Sequence, residues 1–308
     1  MVEKQQINIG HLSTLYHTSF ILMGTDWIEK AGIRATWKLF ASGPDIVKAF
    51  ANKEIDLGYI GLPPAIIGID HGVPIICIAG GHVEGTVLIA RKEYRTLSEL
   101  RDIESVMRQF KRKIIGSPPK GSIHDVIINN IINETKLDIM VKNFPWTDFV
   151  LEALIDRDID AAVGTPSLAA AAARACEAKI IIPPDKLWKD NPSYGIVIRK
   201  ELMKNPDIIM RFLKLHEKAS NFIRKQPRTA ARLVSTLTGI VDEDFVLEAF
   251  GISPKYCSML SPGFVSSTMD FVPVLHRLKY ISRIIPQNEI FDFGFINKAH
   301  KEPQHYDL

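Results

Sequence analysis

Cysteine is scarce in this chain of 308 residues: three, Cys77, Cys176 and Cys257. They are widely spaced and form no C-x-x-C pair. That excludes a sequence-local thiolate site for zinc or an iron–sulfur cluster, and it gives no disulfide framework. Cys77 and Cys176 lie in apolar runs and read as small buried hydrophobes. Long apolar runs are also missing; none approaches the ~20 residues of a membrane-spanning helix. Charge of one sign is not concentrated: 38 basic residues face 35 acidic ones. The densest basic group, Met107–Gly116 (MRQFKRKIIG), reads as a solvated helix end running into a strand, so no nucleic-acid partner is expected. The first residues show no basic segment followed by an apolar one, and no lipidated-cysteine pattern. The sequence as given therefore reads as cytoplasmic, with an extracytoplasmic location as the alternative if a leader has been trimmed. There is no phosphate-binding loop, no H-E-x-x-H and no linear nucleophile–base signature. No metal and no cofactor are expected.

What is present is a 46% hydrophobic composition, ample for a core and for two domains of ordinary size. Strand and helix patterns alternate. INIGHL is a strand, TSFILMGTDWIEKAGI has helical spacing up to Gly32, and ATWKLFAS alternates as a strand does. DIVKAFANKE is amphipathic, IDLGYIG is strand and turn, and PPAIIGIDHG starts a helix on proline, where the missing N–H costs nothing. VPIICIAGG is a buried strand. The rhythm restarts at GTVLIARKEY and runs through KIIGSPPKGS, IHDVIINNIINETKL, IMVKNFPW, TDFVLEALIDRD, IDAAVGTPS, LAAAAARACE and KIIIPP. SYGIVIRKEL then echoes GTVLIARKEY, and both are read as crossings between two lobes. The remainder is helical, broken at Pro227, and Lys301–Leu308 reads as a polar tail. Such βαβ units imply largely parallel sheets. The expected fold is α/β and two-lobed: residues 1–88 with 195–308 in a discontinuous lobe I, and 89–194 inserted as lobe II.

Ligands of open α/β sheets sit beyond the carboxyl ends of the strands, where helix N-termini offer free N–H groups. Five small-residue loops fit that position: Gly10–Thr14, Ala41–Asp45, Gly58–Pro64, Gly116–Asp125 and Gly164–Ser167. They supply Ser13, Thr14, Ser117 and Thr165 as candidates. Rigid walls are expected from Tyr59 and Trp146, each beside such a loop, with core packing as the alternative for both. His82, with Glu84 in AGGHVEGT, is a candidate at the first crossing; the alternative is a solvated hinge. His11, His17, His71 and His124 also lie near loops, without any local metal-ligand spacing.

The stretch LFASGPDIVKAFANKEIDLGYIGLPPAIIGIDHGVPI, with the later GSIHD helix start and DIDAAVGTPS, resembles the substrate-binding proteins of nitrate/sulfonate/taurine-type ABC importers. That family includes the binders of thiamine-pyrimidine precursors. The resemblance runs from Ile7 to about Lys225. It implies a type II periplasmic-binding fold with a ligand in the cleft between the lobes. It also implies Ser42, Gly43, Gly61, Gly121, Ser122 and His124 as ligand-facing positions, and an ABC permease and ATPase as partners. The first functional reading is capture of a small polar or anionic organic molecule, sulfonate-, nitrate- or pyrimidine-precursor-like. The alternative is a cytoplasmic biosynthetic enzyme on the same fold, of thiamine-pyrimidine or menaquinone-pathway type. Against that alternative, the fungal pyrimidine synthases carry a cysteine cluster that this chain lacks.

Overall fold

The structure, a computed structural model, describes residues 5–307; the readings of the extreme N-terminus and of Leu308 fall outside that span. The chain builds two five-stranded sheets. The first contains β1 (Gln5–Leu12), β2 (Ile33–Phe40), β3 (Leu57–Ile60), β4 (Ile75–Val83) and β10 (Pro192–Arg199), in the order β2-β1-β3-β10-β4. The second contains β5 (Val87–Arg91), β6 (Ile114–Ser117), β7 (Met140–Asn143), β8 (Ala161–Gly164) and β9 (Ala178–Ile182), in the order β7-β6-β8-β5-β9. Each sheet has four strands running in one direction and one antiparallel strand in the fourth place, β10 in the first and β5 in the second. The expected two-lobed α/β architecture with two crossings is the one the chain adopts. The chain leaves the first sheet after Val83, enters the second at Val87, and returns at Pro192.

Burial follows position in the sheets. The four residues of β3 are buried because it is a central strand covered on both faces. All nine of β4, the last strand of the order, are buried because residues 255–258 and Phe291–Asp292 bond along its outer edge. Edge strands β2 and β7 leave much of their length exposed. The helix Pro206–Lys225 shows the amphipathic logic clearly. Ile208, Ile209, Phe212, Leu213, His216, Ala219 and Ile223 form its buried face. Pro206 opens it, and Arg224 and Lys225 stand in the last turn, where they complement its dipole. The break at Pro227 is where the next helix, Pro227–Thr238, begins.

Two readings need correction. TSFILMGTDWIEKAGI is two short helices, Thr18–Met23 and Trp27–Lys30. The Thr25 hydroxyl donates to the Ile21 carbonyl, and Gly24 packs so closely under Leu233 that a Cβ there would stand 2.9 Å from its Cγ. The C-terminal segment is no free tail. Tyr306 is buried and its hydroxyl donates to the carbonyls of Cys257 (2.7 Å) and Met259 (3.1 Å). One buried aromatic outweighs a polar local composition.

Candidate functional site

Five helix starts from the two sheets converge on one cleft. From the first sheet come Ser42, which caps Gly43–Ala51, and Gly61, which precedes Leu62–Asp70. From the second come Ser122 before Ile123–Thr135, Thr147 at the head of Thr147–Ile155, and Thr165 before Pro166–Cys176. Leu12, Ser13 and Thr14 add the turn after β1, and Ser193 adds the start of β10. Three of the four co-directional strands of each sheet, β1–β3 and β6–β8, thus deliver their carboxyl ends to the same gap. Among the described residues no Asp, Glu, Lys or Arg lines it; hydroxyls, backbone, two imidazoles and a few small apolar side chains do. The gap is narrow, about 50 Å³. A larger hollow of about 850 Å³ lies between Leu22, Ile28 and Trp37 at the β2 edge, but it belongs to one lobe and no helix of any length opens into it.

The helix starts are held firmly. Ser42 Oγ accepts from the Asp45 amide (3.3 Å) and donates to its carboxylate (2.6 Å). Ser122 Oγ accepts from the Asp125 amide at 3.3 Å, and Thr165 Oγ1 from the Leu168 amide at 3.2 Å. Asp125 is saturated by the Gly121 amide (2.8 Å), Tyr280 hydroxyl (2.6 Å), Asn129 (2.9 Å) and Asn143 (2.8 Å). This ring of donors fixes the loop around Gly121, whose φ of +83° suits glycine.

The imidazoles at the cleft are neutral. Burial lowers His124 to a pKa of about 4, and its Nδ1 pairs with the Thr86 hydroxyl at 3.0 Å, leaving Nε2 as the free ring nitrogen. His17 is pushed far below its ordinary value, by burial first and then by His82, His11 and His216; its Nδ1 is buried without a partner. Behind them lies a buried polar chain. His216 Nε2 faces the Gly80 carbonyl at 2.9 Å, so Nδ1 is the acceptor from the Thr18 hydroxyl, also at 2.9 Å. Thr18 accepts in turn from Tyr194 (3.3 Å), while Tyr16 pairs with Ser193 at 3.0 Å.

Of the candidates read from sequence, the cleft brings together Ser13, Thr14, Ser42, Gly43, Gly61, Ser122, His124 and Thr165. It leaves out five. Tyr59 is fully buried among Trp37, Tyr194, Phe212 and His216, one pleat below the strand end. His82 is buried against Tyr16 and Tyr256, its Nε2 2.6 Å from the Ser253 carbonyl; Glu84 is buried and pairs with Lys255 at 2.8 Å. Neither faces the cleft. Ser117 is buried inside the second lobe, Gly121 braces its loop through Asp125, and Trp146 stands just outside as the residue before Thr147. Thr147 and Ser193 line the gap without having been singled out, as do Tyr16 and His17, which the sequence marks only as lying near loops. Trp-Thr-Asp is itself a helix-start signal and could have pointed to Thr147. Nothing local marks Ser193.

A two-lobed α/β molecule whose helix starts converge on one gap has the architecture of the periplasmic-binding proteins. The model of the NMT1-like family matches residues 1–238, and the chain belongs to that family. A Bacillus subtilis (strain 168) relative named as an aliphatic sulfonates-binding protein is 23% identical over 280 residues, covering 90% of this chain and 82% of its own. Among solved structures, the alkanesulfonate-binding protein SsuA of Xanthomonas axonopodis pv. citri, bound to MOPS, superposes with a TM-score of 0.78 at 14% identity, over 94% of this chain and 99% of that one. The periplasmic nitrate-binding protein NrtA of Synechocystis PCC 6803 gives 0.77 at 12%, over 97% and 89%. The resemblance seen in the Leu39–Ile75 stretch is thereby borne out.

Proposed function

We propose that this chain is a solute-binding protein that closes on a small, weakly basic anion, a sulfonate or nitrate group, and presents it to an ABC importer outside the cytoplasm. The observation that carries this reading is the convergence of five helix starts on a gap lined by no charged side chain. Amide N–H groups and hydroxyls can share the charge of a sulfonate among several oxygens, and the helix dipoles favour it. A cationic ligand would meet the wrong potential there. The names of the relatives point the same way, and the nitrate-binding neighbour NrtA is named as periplasmic.

The mobile bodies in this proposal are the lobes 1–88 with 195–308 and 89–194, hinged where the chain crosses near Glu84–Thr86 and again before Pro192. So small a gap admits only a head group without opening. Calorimetric titration with methanesulfonate, nitrate and a neutral aminopyrimidine tests the reading. The anions should bind and the pyrimidine should not. At a hundredfold excess over Kd, a bound anion should stabilise the fold by about 2.7 kcal/mol. Binding of the pyrimidine alone, or of none of the three, would overturn the proposal.

A further inference from the structure

Far from one another in sequence, four metal-ligating side chains meet on the back of the first lobe. We propose that Glu217, Cys257, His300 and His305 form a site for one divalent transition ion of the zinc type, which pins the C-terminal segment to the body of the protein. Glu217 comes from the helix Pro206–Lys225, Cys257 from the segment after the helix Glu243–Ile252, and both histidines from the last residues of the chain. This site is independent of whatever the cleft binds.

The donor atoms stand close to coordination spacing. Cys257 Sγ lies 3.5 Å from His300 Nε2 and 3.8 Å from His305 Nδ1. Glu217 reaches His305 Nδ1 with Oε1 at 3.3 Å and His300 Nε2 with Oε2 at 3.7 Å. One donor atom from each residue fits within a span of 4.8 Å. Donors bound at the usual zinc distances and tetrahedral angles stand about 3.3 to 3.7 Å apart. The four groups therefore need little movement to share an ion.

The surroundings suit coordination. The amides of Met259 and His305 both point at Cys257 Sγ, each at 3.4 Å, a pairing that favours a thiolate. The Ser258 amide (3.0 Å) and hydroxyl (2.7 Å) and Asn221 (2.8 Å) orient the Glu217 carboxylate. His305 turns its other nitrogen to Glu302 at 3.4 Å, the carboxylate–histidine–metal arrangement that fixes a ligand's tautomer. Thiolate and carboxylate together balance a 2+ ion. Arg224, 3.5 Å from Glu217, adds a positive charge, so hard cations held by charge alone are disfavoured and a thiolate-seeking ion is selected. A thiolate ligand gives up its proton when it binds the ion, so affinity should rise with pH. His305 is the partly open side, with 11% of its side chain exposed, against 2% for His300.

The competing explanation is a metal-free network in which imidazolium pairs with Glu217, and cobalt separates the two. Untagged full-length protein, stripped with chelator, should take up one equivalent of Co(II). It should develop the strong visible bands of a tetrahedral ion and a thiolate-to-cobalt charge-transfer band, both abolished by one equivalent of Zn(II). Cys257→Ser should lose the charge-transfer band. Glu302→Gln should keep it with affinity reduced about tenfold. His305→Ala, at the open edge, should weaken binding by more than tenfold even if Cys257→Ser fails to fold. Absence of stoichiometric uptake, a spectrum without thiolate character, or a band that survives both Cys257→Ser and His305→Ala would overturn the site.

Discussion

Ser42 and Ser122 each carry two tasks that sequence alone does not separate. The family resemblance makes both hydroxyls ligand-facing, and a serine that served the ligand alone could be replaced with the melting of the unliganded protein nearly unchanged. In the structure each accepts a bond from an amide of its own helix. Removing such a cap costs about 1 kcal/mol. Ser42→Ala with Ser122→Ala should therefore lower the unliganded protein's stability by about 2 kcal/mol in urea unfolding, and also weaken anion binding. Unchanged urea stability would show that the capping bonds carry nothing. The wrong readings at this scale share a cause. Tyr59 and His82 lie beside loops in sequence, but helix Pro206–Lys225 and the segment around Tyr256 cover them. Their burial depends on partners more than a hundred positions away, which local pattern does not reveal.

At the scale of elements, strand–turn–helix units were legible because their signals are local. Gly-Leu-Pro-Pro after an apolar strand announces a turn and a helix start, and Gly61 stands where that pattern placed it. The docking of the last residues was not legible, since Lys301–Leu308 is polar apart from Pro303, Tyr306 and Leu308. Gly61 also meets the opposite lobe. A Cβ there would lie 3.2 Å from the Ser193 carbonyl and 3.5 Å from Ile123 Cβ. Alanine would be tight and valine would wedge the lobes apart. Gly61→Val should thus cost at least tenfold in ligand affinity, measured by titration calorimetry, while a solution scattering profile shifts toward a more open form. Undiminished affinity would mean that the lobes do not close at this point.

At the scale of the whole molecule, buried histidines tie stability to pH. Burial lowers His82, His124 and His216 to about 4 from an ordinary 6.5. Each is neutral in the fold, while the unfolded chain takes up its proton near 6.5. Their contribution is complete above that value and is lost as pH falls toward 4. Each removes up to about 1.4 kcal/mol per pH unit in that window. The urea midpoint should hold between pH 8 and 7 and drop steeply from 6 to 5, and His124→Gln should flatten the drop. A midpoint level down to pH 5 would contradict the assignment. The lobes are also tied externally: Arg174, on a helix of the second sheet's layer, reaches Glu248 and Asp242 in the C-terminal helices, each at 2.8 Å. Exposed pairs of this kind are weak individually, so they leave opening possible.

The placing of β10 has a consequence for how the chain is made. This strand sits between β3 and β4 and bonds to both. Until residues 192–199 leave the ribosome, the first sheet exists only as two fragments, β2-β1-β3 and an unpaired β4. The second sheet is complete once β9 ends at Ile182. The inserted lobe can therefore assemble during synthesis while the lobe that precedes it in sequence waits. A largely apolar β4, whose one polar side chain is His82, exposed over more than a hundred residues of translation, is the segment for which a chaperone would have most use.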